Sequence, residues 1–526
     1  MEQVRQKFGD AFTAYCLNMA VESLDSVELT ERQREAINAL TPFTEAASAD
    51  PNDFGRAIIL GRVLEYDATS QTSIANGLRM HCGGVVAAVE SSDPVEEVLL
   101  TLGRDVYAAC LLPEPTGPML GQPLMSIPVF HHPKAKEAAR AILADPDLKR
   151  LFPGSPDPET YDGDGIDVHS RVSWSNGSGG TFQLVMLVSS LLGIGLDRLS
   201  SAPTVDEYFE ALRQTLSMSR NLANKRNTPV PVLIGLANVQ MAEGKTVVFP
   251  GGKLRLPTVG DRRSLMNADN VTAVLEVEAH LKLLNVHHWE QGAADDSGMT
   301  EGWASNQPEF EKFQHELRRN TDLARLAMLF ASSGGNIIAP AEMATAVINP
   351  LAAGQSVAGV SPFRHPVAAF GTSTISLEAG ASIQDWAPKV ASHPRSLDMA
   401  MRRLLSSVST RLDPMDGFVD AVICWENMFG TGEGEVSFRV SGAIAKLLEP
   451  DDAAARKKLF VEVRDLYGIR SKLVHGSKEP KYQDAVKQRK RSVEIAIQAL
   501  QRLYDRPDVL TAENSSVRGR MLLLDA

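Results

Sequence analysis

The chain has 526 residues, of which 44% are hydrophobic and 22% charged, and its formal net charge is −12. This length exceeds what one compact core usually organises, so we expect roughly two to four domains. The composition has no strong bias and is typical of a soluble globular protein. The low aromatic content, 6%, weighs against a carbohydrate-binding surface. Four cysteines without a CxxC pair favour reduced thiols in a cytoplasm over a disulfide framework.

The N-terminal sequence MEQVRQKFGDAFTAYC lacks the basic and apolar regions of a secretory signal. The most apolar segment, FQLVMLVSSLLGIGL at 182–196, is shorter than the roughly 18 to 20 residues that cross a bilayer. It is predicted to be a buried core helix. We therefore expect a cytoplasmic protein that does not bind membranes.

Residues 1–152 are predicted to form a mainly helical N-terminal region. Thr30 and Gln33 form a capping-box pattern at the start of an apolar-periodic run, and KAKEAARAILAD predicts a second helix. Between them, the Pro- and Gly-rich stretch 113–133 is predicted to interrupt regular structure.

Residues 153–394 are predicted to form a mixed α/β middle region. A polar loop over 153–180 is the candidate boundary, and Thr204 with Glu207 predicts the start of an amphipathic helix. Strand-like runs flank the turns AEGK and PGGK, which predicts a small sheet near 228–260. The segment QPEFEKFQHELRRNTDLARLAMLFASS returns to a helical pattern.

Several short motifs fail on inspection. DGDGID lacks the glycine and glutamate that complete an EF-hand loop, and SNGSGGT lacks the lysine of a phosphate-binding loop. HELRR is not the zinc motif HExxH, and no GxSxG surrounds a plausible nucleophile. The common hydrolase, kinase and zinc-enzyme classes are thus disfavoured, and we expect neither a metal nor a cofactor.

The C-terminal quarter differs from the rest in charge and in pattern. Residues 395–526 carry 22 Lys and Arg against 19 Asp and Glu, a net of +3, whereas residues 1–394 carry 31 against 46, a net of −15. Nearly all of this quarter has helical periodicity. We predict a helical domain over 395–510 and a tail over 511–526, attached to an acidic body formed by residues 1–394.

One predicted helix of this domain, DDAAARKKLFVEVRDLYGIRSKLVHG, places an arginine where a hydrophobic residue is expected. Its apolar face follows a three- or four-residue spacing with one gap of seven, and Arg470 lies in that gap. The residues of this face are Leu459, Val463, Leu466 and Leu473. An arginine on an apolar face needs a partner or a wet cleft, because an unpaired buried charge is costly. A symmetric dimer would provide such a cleft.

The same helix is predicted to end at His475, because Gly476 follows it. The last turn of a helix favours a protonated histidine, and a group that titrates near neutrality suits acid–base chemistry. Arg470 lies about 140° away around the helix, so the two side chains would not form one tight pair. An arginine can hold a phosphate through two parallel hydrogen bonds, although a structural cap and a packed arginine stem explain the same residues.

The residues from about Ser396 to Pro507 resemble the Apea-like group of the HEPN superfamily. The superfamily signature is an arginine, four to six further residues and a histidine near the end of a helix. The narrower resemblance rests on Glu426 through Phe429, on Ser437 to Arg439, and on the block LYGIRSKLVHG. Many HEPN nucleases have Asn, Asp or His after the arginine, whereas this chain has Ser471, as the narrower group often does.

The resemblance implies an all-α domain that forms homodimers and cleaves RNA, with tRNA as one candidate substrate, without a metal. It implies that His475 is the acid–base group and that Arg470 stabilises charge on the phosphate. Such enzymes act as toxins or antiviral effectors, and the body would sense an unknown trigger or restrain the nuclease. The alternative is a non-catalytic HEPN module that dimerises and binds RNA, a nucleotide or a protein.

Further residues are expected to assist this pair. Ser471, Tyr467, Glu426 and Arg439 are predicted to support the site, with a structural ion pair between Glu426 and Arg439 as the favoured interpretation. A basic run is predicted to contact the RNA backbone, although a solvated helix face explains it equally well. It consists of Lys472, Lys478, Lys481, Lys487, Arg489, Lys490 and Arg491. The acidic body is expected to cover this basic face at rest.

Overall fold

The computed structural model is mainly helical with minor sheets, as the sequence predicts. It describes residues 1–26, 28–113, 128–197, 199, 203–237, 239–242, 245–258, 261, 264–265, 271–288, 297–331, 337, 341–351, 373–430, 435–476 and 480–524.

Helices dominate both ends of the chain. Those that precede residue 394 are α1 (Glu2–Cys16), α2 (Glu31–Ala49), α3 (Asp53–Gly61), α4 (Ile74–His81), α5 (Pro94–Val106), α6 (Ala135–Ala144), α7 (Leu184–Asp197), α8 (Val205–Ala223), α9 (Ser297–Phe330) and α10 (Leu377–Ala391). Those that follow are α11 (Asp398–Ser409), α12 (Pro414–Phe429), α13 (Val436–Leu448), α14 (Ala453–Val474), α15 (Tyr482–Tyr504), α16 (Pro507–Leu510) and α17 (Ser515–Leu524). We call α11–α17 the C-terminal bundle.

The strands lie in the first 375 residues. They are β1 (Tyr66–Asp67), β2 (Thr72–Ser73), β3 (His169–Trp174), β4 (Gly179–Gln183), β5 (Thr228–Ala237), β6 (Val239–Met241), β7 (Thr246–Phe249), β8 (Gly252–Arg255), β9 (Ala273–Leu281), β10 (Leu283–His288), β11 (Ala341–Val347) and β12 (Ser373–Ile375). The main sheet has the order β11-β5-β9-β8-β7 and is antiparallel, β10-β3-β4 forms a second antiparallel sheet, and β12 pairs with β6 in parallel.

Local sequence signals account for several of these elements. Thr30 and Thr204 each accept a hydrogen bond from the residue three positions later, and both capping boxes are complete, which confirms the predicted starts of α2 and α8. The strands expected near 228–260 are present. The loop predicted over 153–180 is wrong in part, because its second half contains β3 and the beginning of β4.

The predicted tail is also wrong. Residues 515–524 form α17, which packs against α12 and α13 and buries Leu522. Arg518 is fully buried, and it donates hydrogen bonds to the carbonyl oxygens of Met428, Val509 and Ala512 and to the hydroxyl of Ser396. Residues 515–524 are therefore part of the bundle.

The bundle has an apolar core with a few buried polar ties. Trp425, Phe418 and Ile444 are fully buried within it. Asp420 is 2% exposed and ties α12 to α11, because its carboxylate accepts hydrogen bonds from Arg403 at 2.8 Å, Ser406 at 2.9 Å and Arg411 at 2.6 Å. These bonds satisfy a charge that would otherwise be costly to bury.

We expect the bundle to lose stability in acid through Asp420. Burial alone would raise the pKa of this carboxyl, but the bonds from Arg411, Ser406 and Arg403 outweigh burial and hold the pKa below its ordinary value. Such a group contributes stability above its unfolded pKa of about 3.9 and loses it as the pH falls through the folded pKa. The free energy of unfolding, measured by urea unfolding and circular dichroism, should therefore fall more steeply with decreasing pH below pH 4 in the wild type than in Asp420→Asn. Equal slopes would contradict the prediction.

Candidate active site

Helix α14 carries Arg470, and His475 directly follows its last residue, Val474. Both ends of the helix are fixed by local contacts. The Asp452 carboxylate accepts hydrogen bonds from the backbone N–H groups of Ala454 at 2.9 Å and Ala455 at 3.0 Å, which caps the N-terminus. The apolar face then packs inward on the bundle, and Leu459, Val463 and Leu466 are buried. The predicted amphipathic helix is confirmed, and its orientation places Arg470 on the inward side.

Arg470 has a partner within the same chain. Its Nη2 atom lies 3.2 Å from Oε2 of Glu426, which projects from α12, and the two side chains are 20% and 23% exposed. The other carboxylate oxygen of Glu426 accepts a hydrogen bond of 2.5 Å from the Tyr467 hydroxyl. Because Tyr467 and Arg470 are three residues apart on α14, one carboxylate can bind both side chains.

This arrangement corrects two expectations. In the described part of the chain, Glu426 pairs with Arg470 and Tyr467 and forms no ion pair with Arg439, which is exposed on α13. The argument that a symmetric dimer provides the cleft for Arg470 also no longer holds, because Arg470 obtains its countercharge from Glu426 of the same chain. The expected dimer then depends on the family resemblance alone.

The Tyr467 phenol keeps its proton and orients the carboxylate. Burial, together with its hydrogen bond to Glu426, raises the pKa of Tyr467 to about 12. The hydroxyl therefore remains a donor at physiological pH. Its ring also lies near the guanidinium, with Cζ of Arg470 6.0 Å from the ring centroid. Arg470 is thus fixed from two sides, while a fifth of its side chain stays exposed.

His475 lies where α14 ends. Its backbone N–H donates to the Ser471 carbonyl at 3.1 Å, and the N–H of Gly476 donates to the Leu473 carbonyl at 2.9 Å. Gly476 has a φ of +66°, a conformation that favours glycine and turns the chain away from the helix axis. The side chains of His475 and Val474 are exposed, and Ser471 is half-buried.

The separation of the two predicted catalytic residues follows from helix geometry. Five residues correspond to about 7.5 Å along the axis of an α-helix. Arg470 points inward to Glu426, whereas the imidazole of His475 lies in solvent. A substrate that contacts both must therefore lie across the end of the helix, with one phosphate near the exposed edge of the guanidinium.

Some of the predicted RNA-binding residues are exposed, whereas others already bind groups of the same chain. Lys472, Lys481, Lys487 and Lys490 are exposed. Arg489 is only 4% exposed and donates to the Ser407 and Arg411 carbonyls at 2.9 Å, so its assignment to an RNA surface is wrong. Lys478 lies outside the described residues.

Arg489 and Arg491 are both engaged within the chain, Arg489 in the space beside Gly417 and Arg491 on Glu462. A Cβ atom at position 417 would lie 2.3 Å from Nε of Arg489, so Gly417 leaves the space through which Arg489 reaches the Ser407 carbonyl of α11. Arg491 binds both carboxylate oxygens of Glu462 on α14, at 2.7 and 2.9 Å. Arg491 therefore joins α15 to α14, and RNA would have to compete with Glu462 for it.

The body does not cover this site in the described residues. His475 and the four lysines on α14, α15 and the connection between them are exposed with the whole chain present. The body meets the bundle mainly through α9, which packs on α11 and α15. The expectation that the acidic body shields the basic face is wrong for this arrangement.

The described residues contain neither a metal-binding cluster nor a membrane-spanning helix. Among the side chains that the structure describes, no group of three or more His, Cys, Asp or Glu is placed to hold a metal ion. In the motif DGDGID, Asp162 pairs with Lys136 and Arg140, and Asp167 bonds Tyr161. No helix in the described ranges has the length and apolar character needed to cross a bilayer.

We compared the chain with models of protein families, with curated proteins and with solved structures, and none of these comparisons finds a match.

For the RNA cleavage that the family resemblance implies, Glu426→Gln should lower the rate about tenfold by loosening Arg470, while leaving the fold intact. The amide still accepts the Tyr467 hydroxyl but no longer supplies the countercharge of Arg470. Initial rates on RNA would be measured beside Glu513→Gln, which changes an exposed glutamate of the same bundle. Rates that match the control would show that Glu426 does not position the arginine.

Proposed function

We propose that this protein is a metal-independent endoribonuclease of the HEPN type, with Arg470 and His475 as its catalytic residues. The observation that carries the proposal is the presence of a fixed, partly exposed arginine near the end of α14 and of an exposed histidine five residues later, just past the last residue of that helix. The resemblance of the block LYGIRSKLVHG to the Apea-like HEPN group gives these two residues their roles.

In the proposed reaction, the ribose 2′-hydroxyl attacks the adjacent phosphorus. A base removes the hydroxyl proton, the bond from phosphorus to the 5′-oxygen breaks, and an acid protonates that oxygen. The products are a 2′,3′-cyclic phosphate and a 5′-hydroxyl. His475 serves as the acid–base group, because an imidazole can both accept and donate a proton. Arg470 stabilises the added negative charge on the phosphate oxygens in the transition state.

The surroundings of the pair support an RNA substrate. Lys472, Lys481, Lys487 and Lys490 are exposed on α14, on α15 and in the connection between them. Such charges bind a phosphate backbone through release of counterions, so binding should weaken as salt rises. We further propose that the protein acts as a cytoplasmic homodimer through the C-terminal bundle, in a toxin-like or antiviral role, and that residues 1–394 respond to a trigger.

A non-catalytic binding module is the second candidate. The observation that favours it is the occupancy of Arg470 by Glu426 within the chain, which satisfies part of the guanidinium without any substrate. In that case the arginine and the histidine would stabilise the helix end, and RNA or a protein would bind the exposed lysines.

One experiment separates the two candidates. Purified protein and the double variant Arg470→Ala/His475→Ala would be incubated with tRNA and with single-stranded RNA in EDTA, and both binding and cleavage would be measured. The nuclease predicts cleavage by the wild type alone, with similar binding by both proteins. Binding without cleavage by the wild type, retained in the double variant, would support the module and reject the nuclease.

A further inference from the structure

Helix α9 of the body holds α11, the first helix of the C-terminal bundle, at both of its ends. Asp398 is the first residue of α11, and its carboxylate oxygens lie 3.3 and 3.2 Å from Nε of Arg319. Ser409 is the last residue, and its hydroxyl accepts a hydrogen bond of 2.7 Å from Nη2 of Arg325. Arg319 also donates to the His393 carbonyl, just before the bundle, at 2.6 Å.

These contacts are buried enough to restrict motion. Asp398 and Ser409 are 6% and 4% exposed, and Arg325 is 6% exposed. Ion pairs and hydrogen bonds in such places are screened less by solvent than surface pairs are. Near the same contact, Phe330 at the end of α9 packs edge-on against Tyr504 at the end of α15, with ring centroids 5.9 Å apart. Helix α9 is thus tied to both ends of α11 and also packs against the end of α15.

A second set of contacts passes from α11 to α12. Arg403 and Ser406 of α11, together with Arg411 just beyond it, all bind the Asp420 carboxylate of α12. Six residues further along α12, about 9 Å in a regular helix, lies Glu426. Glu426 holds Arg470. The described residues thus connect the body to the predicted catalytic arginine by three sets of polar contacts, which helices α11 and α12 join to one another.

We call the contacts of Arg319 with Asp398 and of Arg325 with Ser409 the α9 clamp. We infer that the body controls the nuclease through the α9 clamp, by setting the position of α12 and hence of Arg470. The inference rests on the proposed function. Its basis is that His475 and the four lysines are already exposed in the described residues, whereas the clamp connects to the arginine through α11 and α12. In the clamped arrangement Arg470 is supported for catalysis, so breaking the clamp lowers turnover.

The test breaks the clamp at residues remote from the site. Arg319→Gln, Asp398→Asn and Ser409→Ala would each be compared with Arg318→Ala, which removes an exposed arginine from the same helix. We expect kcat on RNA to fall at least about fivefold with KM within about twofold, because coupling between sites typically has this size. The kcat of the double variant Arg319→Gln/Asp398→Asn should be no lower than that of either single variant, because both substitutions break the same contact. Unchanged or increased kcat in folded clamp variants would overturn the inference.

Hydrogen exchange provides a readout that does not require cleavage. Amide exchange in peptides that cover α12 and residues 463–475 should accelerate in the clamp variants and stay at wild-type rates in Arg318→Ala. If the wild type cleaves no RNA, the proposed function fails, yet accelerated exchange would still show that the clamp holds the arginine. If exchange accelerates only in α9 and α11, the inference about the clamp is overturned, while the nuclease proposal stays intact.

Discussion

Replacing His475 by alanine should lower the rate of RNA cleavage by about 100- to 10,000-fold, because an acid–base group contributes that much to proton transfer. The histidine is exposed at a helix end, so its removal should leave folding nearly unchanged. Single-turnover rates on a defined RNA would measure the effect. His315→Ala, which removes an exposed histidine from α9, is the matched control.

Arg470→Ala should lower the rate by a similar factor for a different reason. The transition state loses a charge-assisted donor to the phosphate, which typically costs about 100- to 1,000-fold. The substitution also leaves the Glu426 carboxylate with Tyr467 as its described partner, so a modest loss of stability is expected. Arg470→Lys keeps the charge without the planar donor geometry and should recover folding better than activity. Arg464→Ala, at an exposed arginine of the same helix, is the control.

Two outcomes would contradict the catalytic roles of His475 and Arg470. If both alanine variants stay folded and still cleave RNA at the wild-type rate, the catalytic assignment is wrong, and the activity belongs to other residues. A loss of activity in the controls as well would show that general weakening of the bundle, rather than lost chemistry, explains the variants.

Arg518→Met should lower the free energy of unfolding of the C-terminal bundle by about 3 to 5 kcal/mol. The arginine is fully buried, and without it three backbone carbonyls and the Ser396 hydroxyl lose a donor, each at a cost of about 1 to 3 kcal/mol before relaxation. Burial lowers the pKa of Arg518 to about 10, so it remains charged at neutral pH. Methionine fills similar space, which separates lost hydrogen bonds from a cavity.

Urea unfolding followed by circular dichroism would measure this effect beside Arg520→Ala. Arg520 is exposed on the same helix, so its removal should change the free energy of unfolding by no more than about 0.5 kcal/mol. Equal stability of Arg518→Met and the wild type would mean that the carbonyls find other partners and that α17 is not held by this arginine.

The sequence predicts elements whose signals are local. The capping residues Thr30 and Thr204 lie at the starts of real helices, and the apolar spacing of Leu459, Val463 and Leu466 places one face of α14 in the core. The hairpin of β3 and β4 escapes prediction because its short strands lie within a stretch rich in Gly, Ser and Asp. Residue type there favours a loop, and only pairing between strands stabilises the extended backbone.

The site illustrates the same limit. The positions of Arg470 and His475 on one helix follow from the pattern, but the partner of Arg470 lies on another helix, and one sequence does not indicate which helix faces it. Spacing contained a usable signal, since Tyr467 and Arg470 are one turn apart and can share a carboxylate. The run of basic residues predicts one RNA-binding surface that includes Arg489, but this prediction ignores the face of the helix on which each residue lies. Its spacing with Ala485, Ser492 and Ala496 places it on the buried face of α15.

The chemistry at the cut site tests the central claim most directly. RNA cut in EDTA by the wild type would be analysed for its end groups, together with the same RNA carrying a single 2′-deoxy residue on the 5′ side of the cut. The claim predicts 2′,3′-cyclic phosphate and 5′-hydroxyl ends, no cut at the deoxy position, and no cut by His475→Ala. Products with 5′-phosphate ends, or cleavage at the deoxy position, would contradict it.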